Sequence, residues 1–339
     1  MKTNIKNMTV KELETFFGNI EEKKFRAKQL FQWLYRGAYS FDEMTDLSKE
    51  LREKLEKEAF IEQLKIVKIQ KSKKDGTRKY LFELSDGNTI ESVFMKYKFG
   101  NSVCVSSQAG CRMGCSFCAS TIGGLNRNLT AAEMADQILS IEKDTGEKIG
   151  NIVVMGTGEP FDNYENLSQF IRIINSKEGL NLGMRSITVS TCGLIPKIKE
   201  FANDFPQVNL ALSLHAPNDK IRNMLMPINN KYNVDELLEV CRGYINKTGR
   251  RVTFEYALVK GINDNINHAE ELALKLKGMI CHVNLIPLNN VLESNLKGTE
   301  RDDVEKFKNV LEKKGIQVTV RREMGSDIDA ACGQLRLRN

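Results

Sequence analysis

Apolar residues recur at helical spacing through the first sixty positions. Val10, Leu13, Phe16 and Phe17 share a face behind Thr9, whose pairing with Glu12 reads as a capping box. Ala27, Leu30, Phe31 and Leu34 repeat the spacing up to a stop at Gly37, and Leu51 and Leu55 mark a third helix opening near Ser48. The period then changes to two. Stretches 64–70, 79–84 and 89–97 alternate like strands, joined by Lys-Asp-Gly at 74–76 and Asp-Gly at 86–87. The pattern predicts a helical unit over 1–60 and a β-meander over 61–97.

A third rhythm starts near residue 98 and runs to residue 339. Strands are predicted at 102–106, 152–155, 186–190, 208–213, 252–258, 282–287 and 316–321, with helices at 130–143, 234–247, 268–277 and 300–314 between them. Repeated βα alternation means a parallel sheet, open or curved into a barrel, and in a barrel chemistry gathers at the C-terminal strand ends. The uncommon short sequences fall at those ends: Gly156 to Pro160, Ser190 to Gly193, Ser213 to Ala216, and Pro287 to Asn290.

Composition narrows the class. The 339 residues, 41% apolar, are ample for a buried core, and no apolar run approaches the roughly 18 residues of a membrane helix. Residues 1–7 are too polar for a secretory signal, so a cytoplasmic protein is expected. The net charge of +6 is mild but uneven. Lys65, Lys68, Lys71, Lys73, Lys74, Arg78 and Lys79 crowd one stretch against Glu62 and Asp75, a patch that suits phosphates or is simply a solvated hairpin face. Trp33, Tyr35 and Tyr39 are better expected in the core than on an exposed face.

Three His leave little material for a zinc hydrolase or a His-based triad, whereas eight Cys point to metal, catalysis or burial. Cys111, Cys115 and Cys118 lie in one loop flanked by Gly110 and Gly114. Their spacing can hold three irons of a [4Fe–4S] cube and leave the fourth iron for a small molecule. A structural zinc site completed by Cys104, or three buried thiols, would use the same residues. Cys192, Cys241 and Cys281 read as buried apolar residues.

The triplet after the first strand of a βα repeat resembles the radical S-adenosylmethionine (SAM) superfamily, and Gly156 to Pro160 resembles its motif for the SAM amino group. The run Val103 to Cys111, with Asn126 to Leu129, Ser213 to Ala216 and Asp327 to Leu335, is similar to the RlmN/Cfr family of RNA adenine methyltransferases over nearly the whole chain. The resemblance implies an α/β fold, a partial (β/α)6 TIM-like barrel with a small N-terminal accessory domain, one [4Fe–4S] cluster on Cys111, Cys115 and Cys118, and two SAM molecules per turnover. It implies SAM contacts at Gly158, Glu159, Ser190, Ser213, Leu214, His215 and Asn289.

The implied chemistry suits an inert target. Adenine C2 lies between two ring nitrogens and is a poor nucleophile, so a carbon radical must add to it. By resemblance, one SAM methylates Cys332, a second is cleaved to a 5′-deoxyadenosyl radical, and the methylene radical made on Cys332 adds to C2. Glu91, or Cys104 in its place, is then the proton acceptor, and Cys104 resolves the protein–RNA thioether by forming a transient disulfide with Cys332. The implied partners are 23S rRNA, tRNA and an external flavodoxin- or ferredoxin-like reductant, with a monomer as the expected state. The rival within the family is a Cfr-type adenine-C8 enzyme, whose pattern has Ala where this chain has Pro160 and Arg-Tyr-Asn near Ile286 to Asn289; both departures favour C2. The rival from another class is a zinc-stabilised RNA-binding protein without catalysis.

Overall fold

The structure, a computed structural model, describes residues 2–288, 295–328, 330 and 335. Strand β1 (Thr3–Asn4) pairs in parallel with β2 (Ala59–Phe60), closing a unit that contains helices α1 (Val10–Asn19), α2 (Arg26–Tyr35) and α3 (Lys49–Glu58). The Thr9–Glu12 capping box forms, and Leu13, Phe17, Leu30, Phe31, Leu34, Leu51 and Leu55 are buried, so the helical periodicity translates directly into packing. The meander follows as β3 (Lys65–Lys71), β4 (Arg78–Glu83) and β5 (Thr89–Tyr97), and it continues into β6 (Gly100–Val105). A short ribbon, β7 (Gln108–Gly110) with β8 (Leu125–Asn128), brackets the cysteine loop.

The repeat is then regular: α4 (Ala131–Thr145), β9 (Asn151–Val154), α5 (Tyr164–Asn175), β10 (Ile187–Thr191), α6 (Ile195–Asp204), β11 (Asn209–Ser213), α7 (Asp219–Leu225), α8 (Val234–Thr248), β12 (Val252–Leu258), α9 (Ile266–Leu276), β13 (Cys281–Pro287), α10 (Arg301–Lys313) and β14 (Gln317–Val320). Six βα units starting at β6 are capped by β14. The strand order is β14-β13-β12-β11-β10-β9-β6-β5-β4-β3, parallel from β14 to β6 and antiparallel from β6 to β3. The meander is thus an extension of the barrel sheet, joined where Val93 of β5 faces Cys104 of β6.

Curvature is visible in one contact. Arg321, just past β14, brings Nη1 to 4.0 Å from Met155 Sδ at the end of β9. Those strands are five positions apart, roughly 24 Å in a flat sheet, so the parallel part wraps around a common mouth as a partial barrel. Helices α1 to α3 share one continuous apolar core with the barrel. A buried Lys6 pins them to α4: its ammonium pairs with Asp136, whose other oxygen accepts from Leu64 N at 2.7 Å, and Tyr35 Oη donates to Lys6 O at 2.8 Å. Tyr35 is therefore core, while Tyr39 is half-buried between Lys6 and Lys143, and Trp33 is half-buried with Nε1 donating to Asp46. Among the described residues no helix is long and apolar enough to cross a membrane.

Candidate active site

The C-terminal ends of the parallel strands surround a cavity of about 950 Å³, counting its open mouth. Cys111, Cys115 and Cys118 border it on one side, Gly156, Gly158 and Glu159 on the next, and Ser190, Ser213 and His215 beyond them. The cysteine loop is held by backbone: Cys111 N donates to Gly124 O at 2.9 Å, and Ser116 N to Leu225 O at 2.9 Å. Burial pushes the Cys111 thiol up to about 12 and Cys115 higher still, and repulsion from the neighbouring thiolates adds to both. Three soft donors that repel one another as thiolates around one cavity suit a cationic cluster.

Glu159 is 3% exposed, yet its carboxylate lies at the cavity wall. Phe161 N donates to Oε1 at 3.0 Å and Cys192 N to Oε2 at 2.8 Å, while Glu159 N donates to Gln108 Oε1 at 2.8 Å. Burial raises its pKa against those hydrogen bonds, so an incoming ammonium would stabilise its charge. Gly158 must be glycine: its φ is +109°, and a Cβ there would sit 2.6 Å from Gln108 Cβ and 2.8 Å from Gln108 N.

His215 is held as a neutral donor. Its Nδ1 accepts from Ala257 N at 2.9 Å, which leaves the proton on Nε2, and burial brings its pKa down to about 3. Ser190 and Ser213 are half-buried at their strand ends and line the cavity. Leu214 does not; its side chain is wholly buried in the core, and only its backbone belongs to the strand end, with N donating to Glu255 O at 3.1 Å. Asn289 and Cys332 lie outside the described residues.

A second, smaller recess adjoins the first and shares Met155, Ile286 and Arg321 with it. Cys104 lines this recess, buried with Val93, Met95, Met324, Ala330 and Leu335. Glu91 stands two residues before Val93 and so on the same face of β5, where Lys79 Nζ is 3.1 Å from its Oε1. It borders neither recess directly. Ser106 connects the regions: its Oγ donates to Glu91 O at 2.6 Å and accepts from Thr157 N at 2.8 Å.

Sequence reasoning passes over several residues that build this site. Arg222 on α7 is fully buried and donates to Cys192 O (2.7 Å), Ser213 O (3.1 Å), Leu214 O (3.1 Å) and Asn229 Oδ1 (3.0 Å), tying the tops of β10 and β11 together. Glu255 and Arg321 line the cavity as opposite charges, and Asn284 Nδ2 donates to Glu255 Oε2 at 2.8 Å. No spacing signals such residues, because each belongs to no repeating or motif-like pattern along the chain. Cys241 and Cys281 are buried as expected; Cys192 is buried and also meets the cavity.

Known proteins share this arrangement. Residues 3–61 match the ribosomal RNA large subunit methyltransferase N-terminal domain, and residues 105–274 the radical SAM superfamily. The chain is 57% identical over 335 residues to a probable dual-specificity RNA methyltransferase RlmN of Lachnospira eligens, covering 98% of this chain and 96% of the relative. It is 54% identical over 334 residues to the protein of the same description in Clostridium novyi, covering 98% and 97%. The crystal structure of a radical SAM methyltransferase from Sphaerobacter thermophilus superposes with a TM-score of 0.94 at 45% identity, covering 98% of this chain and 99% of that one. The likeness runs along almost the entire length of the chain and includes the N-terminal unit, and the chain belongs to the RlmN family of the radical SAM superfamily.

Proposed function

We propose that this chain methylates C2 of adenosine in 23S rRNA and tRNA, with Cys332 carrying the methyl group and Cys104 resolving the protein–RNA thioether. The observation that carries the reading is the adjacency of two recesses: one bordered by three thiols, Glu159 and His215, the other holding Cys104, with Met155, Ile286 and Arg321 common to both. The family's cofactors, a [4Fe–4S] cluster and SAM, supply when bound the methyl group and the hydrogen-abstracting fragment.

The chain's own residues do the rest. Cys111, Cys115 and Cys118 hold the cluster. Glu159, fixed by two backbone amides, meets the SAM ammonium; Gly158 lets the backbone come close; Ser190, Ser213 and the Nε2 proton of His215 offer hydrogen bonds to the remainder of the cofactor, with Leu214 contributing backbone and Asn289 completing the set. Glu91, oriented by Lys79, takes the C2 proton. The adduct's unpaired electron would return to the bound cluster. The Cys104 thiolate then attacks Cys332 sulfur, the S–S bond forming as the S–C bond breaks. The carbon leaves with that electron pair and takes up a proton to become the methyl group, and the external reductant returns the disulfide to two thiols. Support for pairing these two thiols comes from the residues on either side of position 332: Ala330 packs in the cluster that contains Cys104, and Leu335 O accepts from Ser120 Oγ at 2.8 Å, two residues after Cys118. The exposed lysines 65, 68, 71, 73 and 74 suit RNA phosphates, although Lys65 already pairs with Glu83; Arg78 and Lys79 are engaged with Asp144 and Glu91. A cytoplasmic monomer fed by a flavodoxin- or ferredoxin-like reductant completes the reading.

Anaerobic turnover of unmodified RNA with deuterated-methyl SAM tests it. The expected result is a transferred group that has lost part of its label, label recovered in 5′-deoxyadenosine, and a nucleoside that co-elutes with the C2 standard. Full label retention overturns the route, and co-elution with the C8 standard overturns the position.

A further inference from the structure

The ten-stranded sheet is open, with β14 and β3 as its two edges. The chain leaving β14 lines the cavity with Arg321 and the smaller recess with Arg322, Glu323 and Met324, and returns to the hairpin between β3 and β4. Four hydrogen bonds join the two segments. Gly325 N donates to Asp75 Oδ2 at 2.9 Å, Ser72 Oγ to Asp327 Oδ1 at 2.7 Å, Lys73 N to Asp327 Oδ2 at 3.0 Å, and Lys74 Nζ to Ser326 Oγ at 3.4 Å. The pattern is reciprocal: each segment gives a carboxylate that accepts a backbone N–H of the other.

The hairpin is shaped to receive this partner. Ser72 Oγ accepts from Lys74 N at 3.1 Å and Asp75 N at 3.3 Å, and Asp75 Oδ1 accepts from Thr77 N at 2.9 Å, so the turn is set by its own side chains. On the other side Gly325 has φ +64°, and a Cβ there would lie 2.7 Å from Ala330 Cβ and 2.9 Å from Thr77 Cγ2. Ile328 N and Ala330 N both donate to Gly325 O, at 3.1 and 3.2 Å, turning the chain toward Cys104. Gly325 is thus both a close contact with the hairpin and the residue whose carbonyl holds Ile328 and Ala330.

We propose that the hairpin at 72–77 is a positioning element for the methyl-transfer reaction: Asp75 and Asp327 clasp the C-terminal segment across the two sheet edges and so hold the chain that bears Cys332 against the Cys104 recess. The proposal rests on the reading of Cys332 as methyl carrier. Burial alone would raise Asp75, but the Gly325 and Thr77 amides hold it at about 2, and the Ser72 hydroxyl keeps Asp327 low, so both accept as carboxylates at neutral pH. Asp327 is exposed and its carboxylate accepts from Ser72 and Lys73 of the hairpin, so a clasp is the role in which its loss would matter.

The test uses the reconstituted holoenzyme under anaerobic conditions, with Asp327→Ala, Asp327→Asn, Asp75→Ala and Cys332→Ala. Three quantities are followed: methyl transfer to RNA, S-methylation of Cys332 by mass spectrometry, and 5′-deoxyadenosine formed. A clasp predicts that each alanine variant loses about tenfold in transfer and in Cys332 methylation, while cluster content and 5′-deoxyadenosine formation hold, so that cleavage becomes uncoupled from transfer. Asp327→Asn, which keeps an oxygen acceptor, recovers most of the loss. Unchanged transfer in Asp327→Ala overturns the clasp, as does a loss of transfer matched by an equal loss of cleavage. Normal methylation by Cys332→Ala would instead overturn the underlying reading.

Discussion

The cavity wall and the neighbouring Cys104 recess are built on different principles. In the wall, each polar group is tied to the backbone of another strand end: Glu159 to the Cys192 and Phe161 amides, His215 to the Ala257 amide, and Arg222 to three carbonyls. The recess is a seam between the meander and the C-terminal segment. Met324, Ala330 and Leu335 are buried there with Cys104 and Val93, and four hydrogen bonds to the hairpin hold residues 325–327 from the other side. The wall is pre-organised to bind; the seam is held by contacts between separate chain segments, the kind of region that opens locally at low cost.

The largest effect should come from breaking the wall at its sulfur donors. Cys111→Ala is expected to abolish methyl transfer and to lose most of the iron and the brown colour, with far-UV circular dichroism unchanged, because the loop is held by backbone hydrogen bonds. Full transfer by this variant would remove the cluster from the account. Arg222→Met comes next. It strands three buried carbonyls, so the melting temperature should fall by roughly 5–10 °C and the KM for SAM should rise about tenfold as the tops of β10 and β11 loosen. A fall in melting temperature with an unchanged KM would show that the clamp serves the fold alone.

The smallest effect is a pH dependence that sharpens the contrast. Folding keeps His215 neutral to about pH 3, whereas the unfolded chain protonates it near pH 6.5. The unfolded state therefore binds the extra proton between those values. The stability tied to this group is complete above pH 6.5 and drains away as pH falls toward 3, at up to about 1.4 kcal/mol per unit. Glu159 and Glu255 act oppositely, since burial raises both and the folded chain takes up their protons first. His215→Gln, which can still accept from Ala257 N, isolates the histidine: denaturant midpoints of the two proteins should change their separation as pH drops from 7 to 4. A constant separation would mean that the imidazole is not held neutral.

The elements announced by caps and periodicity were legible. The capping box at Thr9 forms, and the strands at 252–258 and 282–287 fall within a residue of their predicted bounds. Helix α5 was not singled out although Leu167, Phe170, Ile171 and Ile174 have helical spacing. Asn163, at its start, spends its side chain on Ser107 O and Leu129 O instead of on a cap. Strand-end residues were legible in the site because barrel topology fixes where loops converge. Arg222 was not, since a lone arginine on a seven-residue helix carries no pattern. The union of meander and barrel in one sheet, which brings Cys104 opposite Val93, is set by long-range pairing that local alternation does not encode.

Strand β3 ends the sheet with an unpaired flank, and along it Lys65, Lys68 and Lys71 are exposed beside a half-exposed Val67. An edge of alternating Ile and Val would invite another chain to add itself as an eleventh strand; ammonium groups spaced along it make that addition unfavourable. The same cations that suit a polynucleotide therefore keep a ten-stranded sheet from becoming the seed of an aggregate, and stripping them to weaken RNA binding would trade one defect for another.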